Sequence, residues 1–171
     1  GDEVCNATNY SSCAFIGIFL RLCNCENIII KDLEIDGNST NISYGGHWCD
    51  GIQLSHNGIY IKNSSNIAID HVNVHHFGQD GIQVYDNFTT SPPAQHLIKI
   101  QITTSKFNWN GRVGMYWASG KGVSAVGSEF NYNAAGRFAS KAADGIDFEY
   151  FGGYLIEDGT FINCKFIGNL Y

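Results

Sequence analysis

Asp147 and Glu149, two positions apart in the run Asp144-Gly-Ile-Asp-Phe-Glu149, are the nearest approach to paired carboxylates in this sequence. In an extended run, alternation places both side chains on one face, about 6.6 Å apart at the backbone. That spacing suits an acid and a base flanking a glycosidic bond, whose carboxyl groups stand roughly 5 to 9.5 Å apart. An ordinary solvated strand face is the simpler alternative. Related runs occur as Asp50-Gly-Ile-Gln-Leu54, Asp80-Gly-Ile-Gln-Val84 and Val113-Gly-Met-Tyr-Trp117. Alignment of the four gives one outward row of Gln53, Gln83, Tyr116 and Asp147 and a parallel row of Ser55, Tyr85, Ala118 and Glu149. Gln83, Tyr85 and Tyr116 then form a polar, partly aromatic strip able to hold a sugar chain.

Asp50, Asp80 and Asp144 stack at the start of these runs. They either meet a cation or substrate, or serve as the Asp of tight Asp-Gly turns whose side chains bond nearby amides. His71, His75 and His76 beside Asp80 offer a metal site or a general base, since imidazole titrates near neutrality. Against this, adjacent His75 and His76 should face opposite ways on a strand, which favours a surface turn and no metal. Six cysteines, Cys5, Cys13, Cys23, Cys25, Cys49 and Cys164, are disulfide candidates with 15 connectivities open. Five of them precede residue 50, so a stapled amino-terminal part of about residues 1–50 is expected. Cys164 is then either free or paired at long range. Zinc held by Cys23, Cys25, His47 and Cys49 is disfavoured, because Cys-x-Cys matches the usual ligand spacing poorly.

The elements that must position these residues are set by internal repetition. Leu33-Glu-Ile35, Val72-Asn-Val74, Ser105-Lys-Phe107, Ser128-Glu-Phe130 and Cys164-Lys-Phe166 align at steps of 39, 33, 23 and 36 residues. Another alternating or apolar run precedes most of them: Asn27-Ile-Ile-Ile30, Asn66-Ile-Ala-Ile69, Ile98-Lys-Ile-Gln-Ile102 and Val123-Ser-Ala125. With the Asp-Gly-Ile runs this makes three short strands per unit, bounded by Gly, Asn and Asp. The pattern predicts an all-β fold, a right-handed parallel β-helix or β-solenoid of about five to six coils with few or no helices. Successive strands would pair in parallel about 4.8 Å apart. An antiparallel sandwich would not explain repeats that share one order of strand motifs. Asn108, Asn110, Asn131 and Asn133, which flank Trp109 and Tyr132 one repeat apart, are expected to form amide ladders.

With 171 residues, 44% hydrophobic and 15% charged, the chain is expected to form a single domain over 1–171. The net charge of -6 is dispersed and the ten Lys and Arg form no patch, which argues against a nucleic-acid partner. The longest apolar stretch, residues 14–22, is interrupted by Arg21 and too short for a membrane span. Asn6, Asn9, Asn38, Asn41, Asn63 and Asn87 each begin a glycosylation sequon, whereas the composition predicts about two by chance. Together with the cysteines they point to a secreted, extracellular glycoprotein carrying covalent N-glycans.

The unit running from Cys25 to Asn38, its successors and the Asp-Gly-Ile strands resemble the right-handed parallel β-helix superfamily that includes pectate lyases and polygalacturonases, over about residues 14 to 169. The resemblance implies a secreted fold shared by polysaccharide-processing enzymes, tailspikes and adhesins. The Asn-Thr-Asp, Asp-Asp, Gly-His-Gly and Arg-Ile-Lys strings of polygalacturonases are missing. The calcium cluster and Arg base of pectate lyases are not matched either; the chain has only Arg21, Arg112 and Arg137. No cofactor is therefore expected; calcium stays open but without support in the sequence. With no capping segment evident, these features favour an extracellular glycosylated structural solenoid whose subunits self-associate end to end into a fibre. The alternatives are a polysaccharide lyase or glycoside hydrolase using Asp147 and Glu149, and a carbohydrate-binding or adhesive β-helix.

Overall fold

A computed structural model of the chain describes residues 15–42, 53–86, 97–136, 138–140, 143–149 and 155–170. Among these residues the fold is all-β and every strand pairing is parallel. A 3-10 turn at Ser39–Asn41 is the one helical element. The first sheet, here sheet A, contains in spatial order β1 (Phe15–Cys23), β3 (Ser55–Lys62), β5 (Ile82–Tyr85), β8 (Met115–Trp117) and β10 (Ile146–Phe148). Sheet B contains β2 (Glu26–Asp36), β4 (Ser65–His75), β6 (Leu97–Thr103), β9 (Gly120–Val126) and β11 (Ile156–Ile162). A third face is built from the ends of β2 and β4, from β7 (Lys106–Asn108), and from the bridges of Lys106 to Glu129 and Glu129 to Lys165. Since each sheet takes one strand from each successive pass of the chain, the result is a parallel β-solenoid, as the repeats predict.

Register follows the apolar rows. In sheet A, Leu20, Ile59, Ile82, Met115 and Ile146 stack, and beside them Leu22, Ile61, Val84, Trp117 and Phe148. Sheet B contributes Ile30, Ile69, Ile102, Ala125 and Phe161. On the third face the rings of Phe107, Phe130 and Phe166 lie nearly parallel, with centroids 5.4 and 5.5 Å apart. Each fully buried Ile or Phe contributes about 1.5–3 kcal/mol of transfer free energy. Volume is balanced between rows: Trp117 lies against Gly159, where an added Cβ would come within 3.0 Å of the indole.

Corners repeat as faithfully as strands. Asp32, His71, Thr104, Gly127 and Asn163 occupy the bend between sheet B and the third face, and all five have φ between 46° and 60°. A left-handed residue costs an L side chain something, so its recurrence in one column marks a turn that the coil geometry demands. Polar ladders satisfy the bent backbone. The fully buried Asn110 donates through Nδ2 to Asn133 Oδ1 at 3.2 Å, and Asn133 donates to Asn169 Oδ1 at 3.1 Å. Oδ1 of Asn110, Asn133 and Asn169 accepts in turn the backbone N–H of Phe77, Asn110 and Asn133. Asn108 and Asn131 form a second ladder by accepting from Asn131 N and Ile167 N. Between the ladders the Trp109 and Tyr132 rings stack on the surface, 4.5 Å apart and 15° from parallel.

The structure corrects the first rung of the expected Asp-Gly column. Gly81, Gly114 and Gly145 align, but the residue beneath them is Gly58 of Asn57-Gly-Ile-Tyr-Ile61, not Gly51. Tyr60 and Lys62, rather than Gln53 and Ser55, therefore lie next to Gln83 and Tyr85. A Cβ on Gly114 would sit 2.7 Å from the Gly145 carbonyl oxygen and 2.8 Å from that of Phe107, both of them backbone. Gly114→Ala is accordingly expected to lower stability by about 1–3 kcal/mol in urea unfolding, the usual cost of overpacking. An unchanged midpoint would show that the coils can part there.

Candidate functional site

The strand-preceding turns of sheet A bring Asp80 and Arg112 together, 32 residues apart in sequence and one coil apart in space. Arg112 donates from Nε to Asp80 Oδ1 at 2.7 Å and from Nη2 to Oδ2 at 2.6 Å, with both residues buried. A planar guanidinium matches a carboxylate in this two-pronged way, and lysine would not. The other face of the guanidinium lies over the Tyr116 ring, 4.5 Å from its centroid. Asp80 N donates to Asn57 Oδ1, and the Gln83 amide donates to both Asp80 Oδ2 and Asn57 Oδ1. Burial works against the charge on Arg112, but Asp80 outweighs it and raises the Arg112 pKa.

This buried group supports a half-open strip beside it. Asp147 pairs in register with Tyr116 on the adjacent strand, and Glu149 follows two positions along on the same strand run. Burial raises the Tyr116 pKa to about 12, with the Glu149 charge and a hydrogen bond to Glu149 adding to it. Burial likewise raises Tyr85, helped by Tyr116 and by Asp80. Asp147 is half-buried, and desolvation raises its pKa; the attraction of Arg112 opposes this, while Glu149, Asp144 and Asp80 reinforce it. Two neighbouring carboxyls in unlike surroundings, Asp147 half-buried with its pKa raised and Glu149 exposed, have the kind of asymmetry that acid and base catalysis uses.

The other expected residues sort as follows. Gln83 and Tyr116 are buried, at 6% and 5% exposure, and engaged within the network, so the side chains in this strip with room for a ligand are Tyr60, Tyr85, Asp147 and Glu149. The rings of Tyr60, Tyr85 and Tyr116 follow one another at 5.3 Å intervals. Asp80 is no simple turn residue, because its carboxylate is saturated by Arg112 and Gln83; Asp144 is exposed. His71 is exposed and paired with Asp70 at 2.9 Å, apart from the His75 and His76 pair, whose ring nitrogens meet. The expectation that His75 and His76 face opposite ways fails, because His76 has φ 54° and turns back beside its neighbour.

Cys23, Cys25 and Cys164 are half-buried free thiols. Asn38 and Asn41 are exposed, and Asn63 is half-buried on a left-handed corner. Asn6, Asn9, Asn87, Cys5, Cys13, Cys49, His47 and Asp50 lie outside the described residues. Among the described residues no helix is long and apolar enough to cross a membrane.

Sequence reasoning missed Arg112 and Asn57. The available signal was position: Arg112 stands two residues before Gly114, as Gln79 does before Gly81, and its N–H bonds the Gln79 carbonyl at 2.7 Å. Elimination chemistry on a uronate needs a cation free to meet the substrate carboxylate. Arg112 is committed to Asp80 on its edge and to Tyr116 on its face, so it is not that cation. No family, curated protein or solved structure matches the chain.

Proposed function

We propose that the chain is a secreted, glycosylated polysaccharide hydrolase of the right-handed parallel β-helix superfamily, acting on the outer face of sheet A. The observation that carries this reading is the unlike pair Asp147 and Glu149, set two positions apart beside Tyr116 on an open edge of the aromatic row. Asp147, whose surroundings favour the protonated form, donates its proton to the glycosidic oxygen. Glu149, exposed beside it, activates water or attacks the sugar. Tyr85 and Tyr60 provide the apolar surface on which sugar rings pack.

Incubation with a panel of neutral and acidic polysaccharides tests it. Release of reducing ends without an unsaturated product is expected. Unsaturated uronate would sink hydrolysis in favour of elimination, and retention of polysaccharide without cleavage would leave a binding module.

End-to-end stacking is the second reading. Phe166 completes the Phe107 and Phe130 stack yet is 48% exposed, and Ile167 beside it is 52% exposed. A further coil, whether of a continuing chain or of a second copy, would cover both. Particle growth with concentration on sizing would support a second copy, and a constant monomer would remove it.

A further inference from the structure

We propose that Asp36, His75 and His76 form a binding site for a first-row divalent transition metal, zinc being the probe of choice, held across two adjacent coils. Among the described residues they are the one group whose ligand atoms converge, all within 4.8 Å of one another. His75 Nδ1 lies 2.7 Å from His76 Nδ1 and 3.5 Å from Asp36 Oδ1, and His76 Nδ1 lies 3.6 Å from the same oxygen. A triangle of these sides leaves a point about 2 Å from all three atoms, the length of a zinc bond to imidazole nitrogen or carboxylate oxygen. Two imidazoles and a carboxylate are donors of intermediate hardness, suited to zinc and its neighbours and not to calcium.

The fold builds this set from three features. In-register pairing of β2 with β4 puts Asp36 directly opposite His75. The left-handed corner at His76 brings its ring back beside that of His75, so that adjacent residues share one site. Glu34, two residues before Asp36 on the same strand, places Oε1 3.0 Å from His75 Nε2. A carboxylate on the far nitrogen holds the Nε2 proton and leaves Nδ1 with its lone pair toward the triangle, the outer-shell arrangement common to metal-bound histidines. In the free protein His76 then donates its Nδ1 proton to His75 Nδ1. On metal binding that proton moves to His76 Nε2, so both Nδ1 atoms coordinate and the ring stays neutral. The side chains of Asp36 and His76 are 50% and 38% exposed. The set therefore faces solvent and supplies three ligands, leaving water to fill the remaining positions.

The test is titration of the full chain with zinc by calorimetry, and with cobalt by absorption, for the parent and four variants. The parent is expected to bind one equivalent that His76→Ala and Asp36→Asn both lose. Glu34→Gln should weaken that equivalent by about 10- to 100-fold, and His71→Ala should leave it unchanged. Cobalt should show ligand-field bands without an intense thiolate charge-transfer band, since Cys23, Cys25 and Cys164 take no part. Equal binding by His76→Ala and the parent would overturn the proposal. So would loss on His71→Ala, a thiolate-type cobalt spectrum, or no binding by the parent. His76 is half-exposed and lies outside the apolar rows, so circular dichroism should show its alanine variant folded.

Discussion

Asp80→Asn is expected to destabilise the fold by about 3–5 kcal/mol, the cost of stranding one member of a buried ion pair. The asparagine is nearly isosteric, so the loss reports charge and not volume. Arg112 would stay buried against Tyr116 with its partner gone, and Gln83 would lose a charged acceptor. Arg112→Met should cost a similar amount, because Asp80 is then the uncompensated charge. The double variant Asp80→Leu/Arg112→Met should recover much of the loss, since a buried pair replaced by apolar groups of similar volume is often neutral. Urea unfolding of Asp80→Leu, Arg112→Met and the double variant forms a mutant cycle, with Asp80→Asn as the isosteric single. Additive losses, or a cost for Asp80→Asn below about 1 kcal/mol, would show that solvent reaches the pair.

Asp147→Asn should abolish most polysaccharide cleavage, by about 10²- to 10⁴-fold if Asp147 is the proton donor. Stability should move the other way. The folded pKa of Asp147 lies above its unfolded value, so the group favours the fold below the ordinary carboxylate range and loses that contribution as pH rises through the raised value. At neutral pH the carboxylate is a burden to the fold, and asparagine relieves it. A variant that is inactive yet at least as stable would mark Asp147 as a residue kept for chemistry. An inactive variant with a lowered melting temperature would mean that the loss is structural. Cleavage by the parent should also decline as pH rises through the raised Asp147 pKa, whereas a profile flat on the alkaline side would give the acid role to another group.

The parts of this molecule that can be read from the chain are those repeated at the same place in each coil. Leu33, Val72, Ser105, Ser128 and Cys164 align by eye, and their strands pair in that order. Asn110 and Asn133 announce a ladder because they recur one repeat apart. Where two segments compete for one rung, identity misleads. Asp50-Gly51 matches Asp80-Gly81 letter for letter, yet Asn57-Gly58 takes the position, with Asn57 Oδ1 accepting from Asp80 N at 3.0 Å. The Asp80 to Arg112 pair is invisible for a different reason: Arg112 occurs once in its column, and nothing local says which turn lies above which. The convergence of His75 and His76 depends on a sign of φ that two adjacent histidines do not encode.

Pairing between neighbouring passes of the chain also sets how the molecule is made. Each rung joins residues one coil apart in sequence, as Ile59 to Ile82 or Val74 to Phe107, so few local contacts exist to start folding and the first closed turn is the slow event. Once it forms, its edge is a template, and every later turn adds to a surface already in register. Assembly then resembles growth of a one-dimensional crystal from a rare seed, and a lesion in an early rung should delay the whole chain while one in the last rung merely frays it.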